Sequence, residues 1–277
     1  MPLNFIIIFI FLFGLIIGSF LNCLIWRLRG KESLMTRSHC PKCGRQIAWY
    51  DNVPVLSFIF LGGRCRQCKK SISLQYPAVE LITGFLFVTA FLCNFEIRIL
   101  NLESIFNNLI INDLFKIQNS KFIILLFRDW FIIAVMIVVF IYDLRWYEIL
   151  DIVALPACLI VFIMNLFLGF NLWNLLISGI IGGSFFIIQF VISKGKWIGG
   201  GDIRLGLLMG LALGWPNILL AIIISYFLGS IVGLGLILAG KKKWGSEVPL
   251  GVFLATGSII SLFWGSQIIG WYLNILL

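Results

Sequence analysis

Long apolar runs, one after another, leave this chain few possible architectures. Eight can be marked, at roughly 4–25, 77–95, 122–142, 149–169, 172–193, 199–215, 217–239 and 250–275. Segments of about 17 to 25 apolar residues are what a helix needs to cross a bilayer. The runs do not alternate, and lipid tolerates only helices or closed barrels. The expectation is therefore an all-α polytopic membrane protein of about eight transmembrane helices. No soluble domain of 277 residues hides a chain that is 61% hydrophobic and 12% charged. The sixth run is the weakest, because Asp202 and Arg204 stand near its start. The first lacks a basic leader and a small-residue cleavage site, so it is expected to stay in the mature protein.

Basic residues set the expected orientation. With the N-terminus outside, the inner segments are 27–76, 143–148, 194–204 and 240–249, and they hold 17 of the 21 Lys and Arg. Only Arg98, Lys116, Lys121 and Arg128 remain outside, facing Glu96, Glu103, Asp113 and Asp129. This is the positive-inside pattern. The net charge of +9 thus reads as membrane topology, with contact to anionic membrane lipid and not to nucleic acid.

The one sizeable polar segment lies between the first two runs. It carries Cys40 and Cys43 in "CPKCG", then Cys65 and Cys68 in "CRQCK", with 21 residues between the pairs. Two CxxC knuckles at this separation bring four thiolates to one tetrahedral zinc. A reducing cytosol disfavours disulfides there. With no open coordination position, the zinc would be structural, and it would fold a loop that has little core of its own. His39 reads as a bystander, and Cys23, Cys93 and Cys158 as small hydrophobes in apolar runs.

Acids near the runs are few: Glu80, Asp129, Asp143, Glu148, Asp151 and Asp202. A carboxylate at membrane depth is costly, so each asks for a use. Asp143 closes the third run and Asp202 opens the sixth, which places both on one side of the membrane. Such a pair suggests an aspartyl dyad, one acid protonated and the other a base that activates water. The single histidine and the lack of HExxH exclude a Ser–His–Asp set and the usual zinc protease. Plainer readings stand beside this one. Asp202 reads as a helix cap, Asp143 as a partner of Arg145 or Arg204, Asp151 as the N-cap of the fourth run, and Asp129 as a local pair with Arg128. Glu80 suits a helix N-terminus. In "WIGGGDIRLG" the glycines permit unwinding and close backbone approach. Two other classes compete with an enzyme: an ion-coupled transporter, and a non-enzymatic assembly factor that docks through the cysteine loop.

The motifs taken together resemble the bacterial prepilin leader peptidase/N-methyltransferase family, GxGD-type intramembrane aspartyl proteases. "GGGD" at 199–202 fits the signature, "YDLRWYEILD" the first aspartate motif, "GSFLNCLIWRL" at 18–28 the amino-terminal segment, and "SEVPLGVFLATG" at 246–257 the last span. The resemblance implies removal of the basic leader from type IV prepilins or pseudopilins at the cytoplasmic face of the bacterial inner membrane. It also implies N-methylation of the exposed residue with S-adenosylmethionine. Carried onto this chain, it makes Asp143 and Asp202 catalytic and Cys40, Cys43, Cys65 and Cys68 the metal ligands. No glycine-rich motif for S-adenosylmethionine is readable. The expected organisation is 1–93, two spans with the zinc loop; 94–121, an external loop; and 122–277, a six-span peptidase core.

Overall fold

The computed structural model describes residues 3–105, 112–243 and 246–276. Their regular elements are helices: α1 (Leu3–Gly30), a short 3-10 helix (Trp49–Asn52), α2 (Leu56–Phe60), α3 (Gln75–Ile105), α4 (Asn112–Trp146), α5 (Asp151–Leu168), α6 (Leu172–Ser193), α7 (Gly200–Leu213), α8 (Asn217–Leu238) and α9 (Leu250–Leu276). Of the expected external loop 94–121, residues 106–111 and the side chains of 96–120 lie outside the described residues. The backbone on either side is helical, to Ile105 and from Asn112.

Seven of these helices are long and apolar enough to span a bilayer. The expected eighth span is the difference. Its run folds as α7, only 14 residues long, or about 21 Å of rise against a hydrocarbon layer of about 30 Å. The glycine-rich start of the run, with Gly199 as the N-cap, sets one end of the helix. Gly214, with φ at 70°, sets the other.

The chain forms two compact units, Met1–Cys93 and Asn94–Leu277. In the first, α1 and α3 pack backbone to backbone. A Cβ on Gly14 would sit 2.7 Å from the Gly84 Cα, and one on Gly18 2.7 Å from the Glu80 Cα. Asn22 donates its amide to the Tyr76 carbonyl at 3.1 Å, which fixes the register of the antiparallel pair. Past that level α1 runs on to Gly30, and its buried Arg27 binds the carbonyls of Ser33, Leu34 and Thr36 at the root of the cysteine loop.

In the second unit, α7 is enclosed by its neighbours. Leu205, Gly206 and Leu208 to Ala212 are buried around its whole circumference, as expected for a helix inside a bundle. Its tightest seam is with α6, which runs antiparallel to it. A Cβ on Gly206 would lie 2.5 Å from the Gly182 carbonyl oxygen, and one on Gly210 would lie 2.7 Å from the Gly179 Cα and run into the Ser178 carbonyl. This is the small-residue packing that lets membrane helices approach closely.

The far end of α7 is fastened by amide side chains. Asn165 of α5 donates to the Leu211 carbonyl at 2.7 Å, and Asn174 of α6 accepts from the Trp215 N–H at 3.0 Å. Asn165 also accepts from Arg128, whose guanidinium is paired with Asp129 and buried with it. The pair read locally from sequence is thus part of an internal network, with Asn94 donating to Asp129 at 2.8 Å. The α6–α7 seam predicts that Gly206→Ala lowers stability by about 1–3 kcal/mol through overpacking. Gly233→Ala, at a position with nothing within 4 Å, should leave the thermal unfolding midpoint in detergent unchanged.

Candidate functional site

Two groups of chemically capable side chains stand out, one in each unit. The first is the cysteine cluster. Both CxxC segments fold as the same knuckle. Cys40 N–H donates to the Arg45 carbonyl and Gly44 N–H donates back to the Cys40 carbonyl; Cys65 does the same with Lys70 and Lys69. The residue that closes each knuckle has positive φ, 70° at Gly44 and 56° at Lys69. The second knuckle therefore holds a lysine where glycine is the unstrained choice.

The ligand atoms of Cys40, Cys43, Cys65 and Cys68 all lie within 4.8 Å of one another, and the Cys40 and Cys68 sulfurs are 4.0 Å apart. A tetrahedral zinc with Zn–S of about 2.3 Å would set sulfurs about 3.8 Å apart, so the four thiols fit a metal ion. Backbone N–H groups of Cys68 and Gln67 draw the Cys65 thiol down to about 7. Cys43 receives one backbone hydrogen bond, from Arg45, yet desolvation and the neighbouring Cys40 and Cys68 push it up to about 11. Four such thiols ionise together only around a cation. His39 pairs instead with Glu32 at 3.8 Å and is not in the cluster.

The second group is the pair of aspartates. Asp143, near the end of α4, and Asp202, in the first turn of α7, are both buried and lie within electrostatic reach of each other. Each has one oxygen tied to the start of a helix. Asp202 Oδ2 accepts from the Gly199 N–H at 3.0 Å, capping its own helix. Asp143 Oδ2 accepts from the Val252 N–H at 3.2 Å, in the first turn of α9. The cap reading of Asp202 therefore holds alongside the pairing, while Asp143 binds neither Arg145 nor Arg204 in any described hydrogen bond.

The glycines around the pair do separate jobs. A Cβ on Gly251 would come within 2.9 Å of Asp143 Oδ2, so only glycine admits the carboxylate there. A Cβ on Gly201 would meet Ile149 at 2.8 Å, whereas one on Gly200 would meet nothing within 4 Å. Sequence reading missed Gly251 and Val252 as partners of Asp143, since nothing local in "EVPLGV" names an acid about a hundred residues away. It also missed Tyr226 of α8, which donates to Gln189 at 2.9 Å and lies within electrostatic reach of Asp202.

Asp151 departs from its expected role. The N-cap of α5 is Leu150, and Asp151 is the first helical residue. Its carboxylate pairs across to Arg204 of α7, on a half-exposed face. A partner on another helix outcompetes the local cap here.

Comparison with known proteins follows the two units. Residues 12–94 match a model described as the bacterial peptidase A24 N-terminal domain, and residues 130–234 match the type IV leader peptidase family. The chain belongs to the type IV leader peptidase family. It is 29% identical to a prepilin leader peptidase/N-methyltransferase of Aeromonas salmonicida, over 97% of this chain and 94% of that protein. It is 28% identical to one of Bacillus subtilis, over 97% and 98%. It is 51% identical to one of Myxococcus xanthus over 81 residues, 29% of this chain and 24% of that protein. No solved structure matches.

Within the leader peptidase family match, the first segment contains all four cysteines and the second both Asp143 and Asp202. Gly251 and Val252, which hold Asp143, lie beyond residue 234. The cysteine geometry predicts about one bound metal ion per purified chain. Elemental analysis should show that content fall to background when Cys40→Ser and Cys65→Ser are combined. Unchanged content would remove the assignment.

Proposed function

We propose that this protein cleaves the basic leader from type IV prepilins or pseudopilins, with Asp143 and Asp202 as an aspartyl dyad, and N-methylates the new N-terminus. The observation that carries the reading is the pair of buried carboxylates. They stand at one end of the bundle, each anchored through a single oxygen to a helix N-terminus.

Two buried acids within each other's electrostatic reach do not both ionise, so one keeps a proton. The ionised member takes a proton from water as the water oxygen attacks the scissile carbonyl carbon. The protonated member donates to the carbonyl oxygen. Collapse of the tetrahedral intermediate breaks the C–N bond, and the leaving amine takes the proton that the base had removed. The helix N-termini hold the carboxylates without reorganisation, which favours charge where it develops. Gly200, with no neighbour within 4 Å of an added Cβ, leaves room beside Asp202 for a substrate backbone.

The cysteine cluster takes a zinc ion, which holds the loop between the first two spans in its fold. Methylation joins the new amine nitrogen to the methyl group of S-adenosylmethionine, with loss of a proton and departure of S-adenosylhomocysteine. The excess of Lys and Arg in segments 27–76, 143–148, 194–204 and 240–249 supports placing both chemistries at the cytoplasmic face of the bacterial inner membrane.

Cleavage of a purified prepilin in detergent tests the dyad. Asp143→Asn and Asp202→Asn should each lower the rate at least about 100-fold while the protein stays folded and metal-loaded. Asp151→Asn breaks only a half-exposed ion pair worth up to about 1 kcal/mol, so its rate should stay within about fivefold of wild type. A fully active Asp143→Asn enzyme would overturn the pairing. Transfer of label from S-adenosylmethionine to the processed pilin, assayed in parallel, tests the second activity. Intact cleavage without transfer would restrict the protein to peptidase chemistry.

A further inference from the structure

The cysteine loop contains a stretch that the metal does not explain. Residues 46–64, "QIAWYDNVPVLSFIFLGGR", run between the knuckles and are mostly apolar. They form the 3-10 helix and α2, which pack against each other. A soluble module would turn such side chains inward. Here Trp49 is 83% exposed, Ile59 64% and Phe60 84%, and Tyr50 and Leu56 are half exposed.

The depth of this face is fixed by one buried group. Glu80 is 6% exposed and accepts the Val55 N–H at 2.7 Å, with the Ser19 hydroxyl also bonded to it. Val55 immediately precedes α2 and is held at φ 61°, a conformation that a β-branched residue rarely adopts. Glu80 stands in α3 level with Gly18 of α1, and α1 continues to Gly30, about 18 Å further along its axis. The start of α2 is thus drawn back along the two spanning helices, well short of where α1 ends.

Charge surrounds the apolar face. Between residues 31 and 74 the chain has Lys31, Arg37, Lys42, Arg45, Arg64, Arg66, Lys69 and Lys70 against only Glu32 and Asp51. Arg66 is placed beside the aromatics, with its guanidinium over the Tyr50 ring at 5.3 Å and bonded to Asp51 at 2.7 and 2.8 Å. These bonds lower the Asp51 carboxyl below its usual range, so the ion pair persists at neutral pH. Aromatic and aliphatic side chains beside Lys and Arg are what an interfacial membrane segment presents. A basic leader peptide is a poor occupant, since it has the same sign of charge.

We propose that the segment Trp49–Phe60 is an interfacial anchor. Trp49, Tyr50, Leu56, Ile59 and Phe60 bed into the headgroup and upper acyl layer of the leaflet from which the cysteine loop projects. The basic residues of the knuckles meet its anionic headgroups. The cysteine module then lies against the bilayer surface, with Glu80 as the tie that sets its height.

The test uses the full metal-loaded chain in vesicles of phosphatidylethanolamine and phosphatidylglycerol. A small share of the lipid has a diazirine at the top of its acyl chain. After irradiation, trypsin releases 46–64 as one peptide, because it has no internal Lys or Arg. Residues 32–37, which contain Met35 at 96% exposure but sit beside Arg27 towards the end of α1, serve as the reference. Peptide 46–64 should carry at least about fivefold more lipid adducts than 32–37. Ile59→Glu with Phe60→Glu should bring it down to the reference level with metal content retained. Equal labelling of the two wild-type peptides, while α1 is labelled, would overturn the proposal by showing that protein or water covers the face. Undiminished labelling in the double variant would overturn it as well. If that variant fails to hold metal, the wild-type comparison still decides.

Discussion

A helix that begins inside a bilayer presents backbone N–H groups to a medium that offers them no acceptor. In this protein, acids answer that need at two helix starts. Asp202 takes the Gly199 N–H at the head of α7, and Asp143 reaches from α4 to the Val252 N–H at the head of α9. The buried carboxylates and the helix starts are each costly alone, and together they offset one another. Much of the second unit serves this arrangement: the glycine seam seats α7 on α6, Asn165 and Asn174 hold its other end, and Gly251 leaves room for Asp143.

The first unit solves a different problem by related means. Its loop has two similar knuckles and little interior, so order comes from a metal-sized thiol cluster and from bonds to the spanning helices. Arg27 gathers three loop carbonyls, and Glu80 takes one N–H. Both ionisable groups are buried on membrane helices, yet both point their bonding capacity at the loop.

Much of this was legible in the sequence. Long apolar runs mark helices because lipid leaves little choice, and seven runs became helices long enough to span. CxxC spacing is local, so the cysteine cluster could be read directly. The exceptions come from partners distant in sequence. Asp151 had the signature of a cap, but Arg204 on another helix took it. Arg128 and Asp129 read as a local pair, and they do pair, but Asn94 and Asn165 join them to an internal network. Gly251 carries no sign of its neighbour, because a missing Cβ is informative only once the facing carboxylate is known. Hydropathy likewise marked the sixth run without showing how early its helix would stop.

That early stop has a consequence for water. Asn174 holds the carboxyl end of α7 level with the beginning of α6, so the missing length of α7 falls wholly at the other end. From Gly182, which faces Gly206, α6 continues about 16 Å to Ser193, whereas α7 runs only about 9 Å from Gly206 back to its start at Gly200. α6 therefore overhangs the head of α7, where Asp202 stands, by about 7 Å. A hydrolytic site in a membrane must be wet without piercing the hydrocarbon. Both carboxylates are buried, so the short helix shortens the path that water must take to them without laying them open, and the bundle beneath keeps the hydrocarbon sealed.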